Sequence, residues 1–389
     1  MLELLFLLLP VAAGYGWIMG RNSARQSQRR QSSILAKHYY KGLNFLLSDE
    51  PDKAVDTLIK MIDLDSDTVE THIAMGKFFR HRGELDRAIR VHQNLVSKEE
   101  ISPAQRESAL YELGRDYILA GFLERAENAF LQLLNSKKHF LDAQIQLFNI
   151  YQTTKEWARA IELAERMIGA GGDSDELCTR VAHFYCEQAN VDWQNTQIDQ
   201  ALNNLHKASA ADEKTVRPWL MLGEISIQEK QYEQALDYLS QVPVRDVTWL
   251  SEAVPLIEEC AEALNNEEKL NQVLDEYWQQ CATAYLAKVK LMAKDGDGAK
   301  AAEVLLEQLR KHPTMKGFKT LMGLYIGLQD HEKSTNSLTL LKELVEEQIK
   351  QRPKYRCHSC GFSGSKIHWL CPSCKKWGVV KPIKGLDGE

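Results

Sequence analysis

The sequence predicts an all-α protein: a solenoid of paired helices, preceded by one membrane-spanning helix and followed by a small metal-binding ribbon. Three observations in its 389 residues support this prediction. Alanines recur at a spacing of 34 residues, an apolar run lies near the N-terminus, and two Cys-x-x-Cys motifs lie near the C-terminus. A period of 34 residues is typical of stacked helical hairpins, because each hairpin can bury its apolar face only against its neighbours.

Residues 1–20 predict a transmembrane anchor. Residues 4–19 are apolar apart from Pro10 and small residues, a length near the lower limit for crossing about 30 Å of hydrocarbon. Arginines follow the run at positions 21, 25, 29 and 30, whereas Glu3 precedes it, which is the reverse of a cleaved signal peptide. The positive-inside rule then places the N-terminus outside the cytoplasm and the rest of the chain inside. A buried N-terminal helix is the alternative.

Two further features accompany the anchor. Ala12, Gly16 and Gly20 recur every fourth residue and form a stripe that permits close contact with a second transmembrane helix, although small residues are common in such helices by chance. Residues 21–34 predict a basic juxtamembrane linker, which anionic lipid headgroups would attract. A linker that is merely solvated is the alternative for this segment.

The repeats are predicted to fill residues 35–351. Pairs of alanines lie 34 residues apart, and a glycine stands twelve residues before several of them. The alanine pairs are Ala54 with Ala88, Ala126 with Ala160 and Ala201 with Ala235, and the glycines are Gly42, Gly76, Gly114 and Gly223. Small residues at these positions let the two helices of a hairpin approach closely. The pattern weakens after residue 248, and the length of the segment predicts about eight or nine hairpins.

This pattern resembles the tetratricopeptide repeat. In that repeat the first helix of each hairpin faces the concave surface, and the residue after the glycine position points inward. Here those residues are Lys77 and Arg115, with Asn149 one repeat on. The resemblance therefore implies a groove in which these polar side chains bind a carboxylate or an acidic segment of a client protein. Solvation, or pairing with the neighbouring helix, is the alternative.

Four cysteines near the C-terminus predict a metal site. They are Cys357, Cys360, Cys371 and Cys374, which form two Cys-x-x-Cys turns separated by ten residues. Two such turns across a short hairpin supply four thiolates in a tetrahedron, which suits one zinc or iron ion. Ligand identity does not separate the two metals, and zinc is the first choice. Two disulfides would require an oxidising compartment, which the predicted topology argues against.

The cysteine segment is similar to rubredoxin and to zinc ribbons. The resemblance covers residues 352 to 380 of a predicted domain at residues 352–389. Rubredoxin has a glycine after its second turn, whereas this chain has Lys375, and the spacer between the turns is shortened to ten residues. Both departures weaken the prediction of electron transfer and favour a folded contact surface. Because so small a domain has little apolar core, the metal is expected to supply most of its folding free energy.

Charge is unevenly distributed along the chain. Residues 352–389 contain eight Lys or Arg against two acids, a charge of +6 before metal binding; because the whole chain carries −6, residues 1–351 carry −12. Lys366, Lys375, Lys376 and Trp377 form a candidate nucleic-acid patch, or could equally dock onto the acidic solenoid. Confinement to a membrane argues against nucleic acid as a partner.

The sequence lacks three short motifs that are typical of enzymes. It contains no His-Glu-x-x-His, no phosphate-binding glycine loop and no Gly-x-Ser-x-Gly elbow. We therefore predict that the protein is not an enzyme. Cys178, Cys186, Cys260 and Cys281 are expected to be buried small apolar residues, and His183 is expected at the surface or at a helix cap rather than as a metal ligand.

The whole arrangement closely resembles the lipopolysaccharide assembly protein B family of Gram-negative bacteria. The opening Met1-Leu-Glu-Leu-Leu-Phe-Leu-Leu-Leu-Pro10, the segment Tyr15-Gly-Trp-Ile-Met-Gly-Arg21 and the order of anchor, repeats and ribbon carry the resemblance. It implies a single-pass inner-membrane adaptor with a periplasmic N-terminus. It also implies three kinds of partner: the protease FtsH, the deacetylase LpxC whose degradation the adaptor promotes, and proteins of lipopolysaccharide assembly and export. An electron-transfer protein and a nucleic-acid-binding zinc ribbon remain as alternatives.

Overall fold

A computed structural model describes residues 69–169, 174–328 and 332–389, together with four isolated positions before them. Apart from those positions, the predicted anchor, the basic linker and the first repeat, with Gly42 and Ala54, lie outside the described residues. Within the described ranges, no helix combines the length and the apolar character required to cross a membrane.

The described part of the chain contains sixteen α-helices, so the protein is predominantly helical as predicted. The chain divides into a first unit, residues 1–155, and a second unit, residues 156–389. The helices described in the first unit are α1 (Val69–His81), α2 (Leu85–Ser97), α3 (Pro103–Leu119), α4 (Leu123–Leu133) and α5 (Phe140–Thr154). Those described in the second unit are α6 (Trp157–Gly169), α7 (Asp175–Gln194), α8 (Ile198–Ala211), α9 (Arg217–Gln228), α10 (Tyr232–Arg245), α11 (Leu250–Leu264), α12 (Glu268–Tyr277), α13 (Ala282–Lys294), α14 (Gly298–Lys311), α15 (Met315–Leu328) and α16 (Glu332–Gln351).

The predicted glycines lie where the two helices of a hairpin touch. At each of the three that the structure describes, an added Cβ atom would overlap the side chain that stands sixteen residues later, on the second helix. For Gly114 the distance from that Cβ to the ring of Phe130 would be 2.7 Å. The other pairs are Gly76 with His92 and Gly223 with Leu239. Glycine is thus required at these positions for close approach.

The repeated alanines occupy matching places in the hairpins. All five that the structure describes are fully buried: Ala88, Ala126, Ala160, Ala201 and Ala235. After residue 248, where the sequence pattern weakens, the chain still forms consecutive helices from α11 to α16. Larger apolar side chains such as Ile257 and Leu274 are buried there, so the core persists without the small-residue pattern.

Three short strands follow the last helix. They are β1 (Tyr355–Cys357), β2 (Ser363–Gly364) and β3 (Val380–Pro382). The sheet is antiparallel with the order β2-β1-β3, and Arg356 lies opposite both Ser363 and Lys381. Tyr355, Cys357, Cys371 and Val380 form a small buried core. The sheet and the segments between its strands, residues 352–389, are called the ribbon below and belong to the second unit.

Candidate metal centre

Two equivalent turns present the four cysteines. In the first turn the N–H of Gly361 donates to the carbonyl of Cys357, and in the second the N–H of Lys375 donates to the carbonyl of Cys371, both at 3.0 Å. Gly361 and Lys375 both have left-handed backbones, with φ of 79° and 57°. The left-handed backbone that glycine adopts after the first turn is therefore adopted by a lysine after the second.

The four sulfur atoms lie in one cluster, all within 4.8 Å of one another. The Sγ atoms of Cys357 and Cys374 are 3.8 Å apart, and those of Cys360 and Cys371 are 3.7 Å apart. A tetrahedral ion with metal–sulfur bonds of about 2.3 Å requires sulfur separations of about 3.8 Å. The residues present therefore fit a single zinc or iron ion, and the donor set does not distinguish the two metals.

The thiols of the cluster differ in acidity. Hydrogen bonds from the backbone of Phe362 and the side chain of Ser373 lower the pKa of Cys360 to about 6. Burial raises the pKa of Cys371 to about 11. Metal ligation requires thiolates, so a bound ion must displace the proton of Cys371 in particular.

Trp377 packs the ribbon onto helices of the second unit. Its ring stacks on His183, with centroids 4.9 Å apart, and meets the edge of Phe184 at 5.8 Å and that of Trp157 at 6.4 Å. His183 is only 1% exposed, so the expectation that it lies at the surface or at a helix cap was wrong. Burial and the charge of Arg217 hold the pKa of His183 well below its usual value, which keeps the ring neutral.

A second tryptophan extends this contact. Trp369 stacks on Trp249 with a centroid separation of 4.5 Å, and the Arg217 guanidinium lies 5.5 Å from the Trp369 ring. Stacked aromatic pairs and cation–π contacts each stabilise such a contact beyond the apolar area they bury. Both indoles of the ribbon segment thus face the helices.

Polar contacts complete the docking of the ribbon. The Tyr355 hydroxyl donates to Glu252 at 2.7 Å, and the Lys381 ammonium donates to Asp246 at 2.8 Å. The carboxylate of Glu389 accepts from the backbone N–H and the hydroxyl of Thr283, each at 2.9 Å. These groups come from distant parts of the chain, so spacing in the sequence could not have revealed them.

The four residues of the candidate nucleic-acid patch do not form one surface. Trp377 is buried against the helices, whereas Lys366, Lys375 and Lys376 are exposed. Docking of the ribbon onto the helices therefore occurs, but it uses Trp377 and Lys381 rather than the three exposed lysines.

Comparisons with known proteins agree with this architecture. The rubredoxin metal binding domain matches residues 355–382, and the tetratricopeptide repeat matches residues 193–260. Lipopolysaccharide assembly protein B of Escherichia coli strain K12 is 40% identical over 393 residues, and the alignment covers 100% of this chain and 100% of that protein. The chain belongs to the lipopolysaccharide assembly protein B family. The protein of that name from Haemophilus influenzae is 36% identical over 401 residues, again with 100% of both chains covered.

A solved structure with some likeness is a tetratricopeptide repeat protein from Parabacteroides merdae. It is 14% identical, has a TM-score of 0.33, and the match covers 71% of this chain and 99% of that chain. Membership of the lipopolysaccharide assembly protein B family rests on the sequence relatives.

The predicted groove residues of this family member lie on α1, α3 and α5. The Lys77 ammonium is 2.9 Å from a carboxylate oxygen of Glu112, and an Arg115 guanidinium nitrogen is 3.5 Å from the other oxygen. The side chains of Lys77 and Arg115 are each 43% exposed, and Asn149 is partly exposed. Lys77 thus pairs with the neighbouring helix, which was the alternative, and client binding stays a prediction.

Sequence reasoning missed a buried ionic network beneath these residues. Arg80 donates to Glu112 at 2.6 Å and to Asp116 at 3.0 Å, and His92 bonds to the other oxygen of Asp116. Burial alone would raise the pKa of Glu112, but hydrogen bonds from Lys77 and Arg80 outweigh it and lower that pKa. A signal was present: Arg80 stands four residues after Gly76, on the helix face that meets the second helix.

Proposed function

We propose that this chain is a non-catalytic inner-membrane adaptor that regulates lipopolysaccharide synthesis by presenting LpxC to FtsH for degradation. The observation that carries the proposal is the 40% identity, over the whole chain, with a protein named lipopolysaccharide assembly protein B. Stacked helical hairpins support it, since repeat arrays of this kind offer extended surfaces for protein contacts. Other proteins of lipopolysaccharide assembly and export are further partners of the same surfaces.

The metal serves structure in this proposal. Cys357, Cys360, Cys371 and Cys374 hold one ion, with zinc favoured over iron. A bound structural zinc ion supplies about 10 kcal/mol or more of folding free energy, which a ribbon with so small a core needs. Elemental analysis of the purified protein is expected to find one ion per chain, and Cys357→Ser to lose it while the helices remain folded. A chain without metal that still regulates LpxC would contradict this role.

The groove of the first unit binds the client in this proposal. Lys77 and Arg115 share Glu112 but are partly exposed, so each retains donors for a client carboxylate, and Asn149 extends the surface. Arg115→Ala is expected to weaken capture of LpxC while lowering the melting temperature by only a few degrees. Arg125 is exposed on the second helix of the same hairpin and provides the control Arg125→Ala. Equal loss in both variants would argue against the groove.

The N-terminal segment tethers the adaptor beside FtsH, with the N-terminus in the periplasm and the remainder in the cytoplasm. Confinement raises the effective concentration of two binding partners toward the millimolar range, so weak contacts become productive. Membrane lipid contacts residues 21–34 in this arrangement. If Ala12, Gly16 and Gly20 also contact a membrane partner, Gly16→Leu with Gly20→Leu should raise LpxC levels at equal adaptor level.

Crosslinking in intact membranes, followed by mass spectrometry, tests the proposal as a whole. The expected crosslinks join this chain to FtsH and to LpxC, and the LpxC crosslinks fall in the Arg115→Ala variant but not in Arg125→Ala. Absence of both partners from crosslinks, at normal expression of all three proteins, would reject the adaptor function.

A further inference from the structure

A cleft lies between the ribbon and the helices of the second unit, and the adaptor role does not account for it. Its volume is about 520 Å³. The ribbon side is formed by Trp369, Trp377, Gly378 and Lys381, and the helix side by α7, the end of α8 and the loop that follows α8. Because the ribbon provides one wall, the cleft is complete only while the ribbon is folded and docked.

His183 lines this cleft and carries an unsatisfied polar atom. Its side chain is almost wholly buried, and its Nδ1 has no hydrogen-bond partner among the described residues. Gly378 lies against the other ring nitrogen, since a Cβ atom there would be 3.3 Å from Nε2. Buried polar atoms are rarely left without a partner, so a ligand group that bonds to Nδ1 would be stabilised here.

The walls and the rim of the cleft differ in character. The walls are indole rings, which favour a large apolar side chain. The rim carries four carboxylates and two ammonium groups, an excess of two negative charges: Asp175, Asp212, Glu213 and Asp246 against Lys214 and Lys381. Asp175 lies 3.5 Å from the Lys214 ammonium and Asp246 lies 2.8 Å from that of Lys381, so these two carboxylates are paired. Glu213 is exposed and is available to a ligand.

We propose that this cleft binds a peptide segment of a partner protein in which a large apolar side chain lies next to Lys or Arg. The apolar side chain packs on the indoles of Trp369 and Trp377, a polar group of the segment bonds to His183, and the cation lies near Glu213. This site is separate from the groove of the first unit, where Lys77 and Arg115 select an acidic segment. The two sites therefore select ligands of opposite charge.

Binding at this site is coupled to the metal. A ligand that contacts both walls favours the docked ribbon, and by linkage the docked ribbon favours the ligand. Bound peptide is therefore expected to slow the transfer of metal from the ribbon to a chelator.

A random heptapeptide library displayed on phage, panned against the metal-loaded full chain in detergent, provides the probe. The expected consensus contains Trp, Tyr, Phe or Leu beside Lys or Arg. A synthetic peptide of that consensus is then titrated against three variants. Ala210→Trp places a bulky ring in the cleft from an exposed position at the end of α8, and should abolish binding. Glu213→Lys should weaken binding about three- to tenfold, as expected for a charge at the rim.

The control is Asp295→Lys, an exposed acid at the end of α13 and outside the cleft, which should leave the affinity unchanged. Melting temperature and metal content are measured for every variant. If Ala210→Trp does not fold, the comparison of Glu213→Lys with Asp295→Lys still decides. The proposal is overturned by the absence of a consensus, by an acidic consensus, or by a peptide that binds all three variants equally. None of these results depends on LpxC or FtsH, so the adaptor function is tested separately.

Discussion

Lys375 adopts a backbone conformation that glycine adopts at the equivalent point of the other cysteine turn. Its φ is 57°, and that of Gly361 is 79°. In this region the Cβ atom crowds the following carbonyl, which costs about 1–2 kcal/mol, and glycine avoids the clash. The second turn therefore carries a strain that the first turn lacks.

Replacement of Lys375 tests this strain. Lys375→Gly is expected to stabilise the metal-loaded ribbon by about 1 kcal/mol, because the left-handed backbone becomes unstrained. The measurement is the rate at which a competing chelator removes the metal, which should fall. Gly361→Ala, the matched change in the first turn, should raise that rate. Identical rates in the variants and the parent would contradict the assignment of strain.

Gly114 tests the contact between paired helices. Gly114→Ala is expected to destabilise the first unit by about 1–3 kcal/mol, because its Cβ would lie 2.7 Å from the Phe130 ring and the hairpin must open. The control is Gly169→Ala, where an added Cβ has no atom within 4 Å. Urea unfolding followed by circular dichroism should show a lower midpoint for the first variant only.

Among the helices, buried ion pairs join α1 to α3. Glu112 on α3 forms ion pairs with Lys77 and Arg80 on α1, and these pairs lower the pKa of Glu112. A carboxyl group whose pKa is lower in the folded state than in the unfolded state stabilises the fold at any pH above its unfolded-state pKa. That contribution is lost as the pH falls through its folded-state pKa. The ordinary value here is 4.5, so the contribution is fully present near neutral pH.

Glu112→Gln should therefore destabilise the first unit by about 1–3 kcal/mol at pH 7, because the buried Arg80 loses one of its two carboxylate partners and keeps only Asp116. The difference in unfolding free energy between parent and variant should shrink as the pH falls below 4.5. Urea titrations at pH 7 and at lower pH measure that difference. A difference that stays constant with pH would show that the charge of Glu112 does not matter.

Trp377 tests the docking of the ribbon onto its helices. Trp377→Ala is expected to remove about 3–5 kcal/mol from this contact, because the ring is buried against His183 and Phe184. The cysteines are untouched, so the ribbon should keep its metal. Limited proteolysis should cut the chain near residue 352 in this variant and spare the exposed neighbour control Lys376→Ala. Resistance equal to that of the parent would mean that docking does not depend on Trp377.

Local patterns in the sequence predicted some elements well. The cysteine spacing identified the cluster, and the alanine phase identified the buried face of the hairpins, because both depend on residues near one another in the chain. The stacking of His183 on Trp377 and the bond between Tyr355 and Glu252 could not be predicted, since they join segments whose proximity only the fold creates. Arg80 was missed because a charged residue in a helix is normally assigned to solvent.

Taken as a whole, the chain joins stacked helices to a ribbon that carries a four-cysteine cluster and packs against the helices of the second unit. In the proposed function the docking of the ribbon depends on metal, since unfolding of the ribbon would uncover Trp157, Phe184 and Trp249 while the helices remain folded. In the proposed function the N-terminal anchor confines these surfaces to the membrane that contains FtsH. The proposed adaptor thus needs three parts at once: tether, helices and ribbon.

The half-life of LpxC tests the adaptor function most directly. It is measured after protein synthesis is stopped, in cells that lack their own family member and express this chain at a fixed level. The full chain is expected to shorten the half-life of LpxC in an FtsH-dependent manner, and a form that begins at Ser23 to restore little of that effect. An LpxC half-life that is the same with and without the full chain would contradict the account.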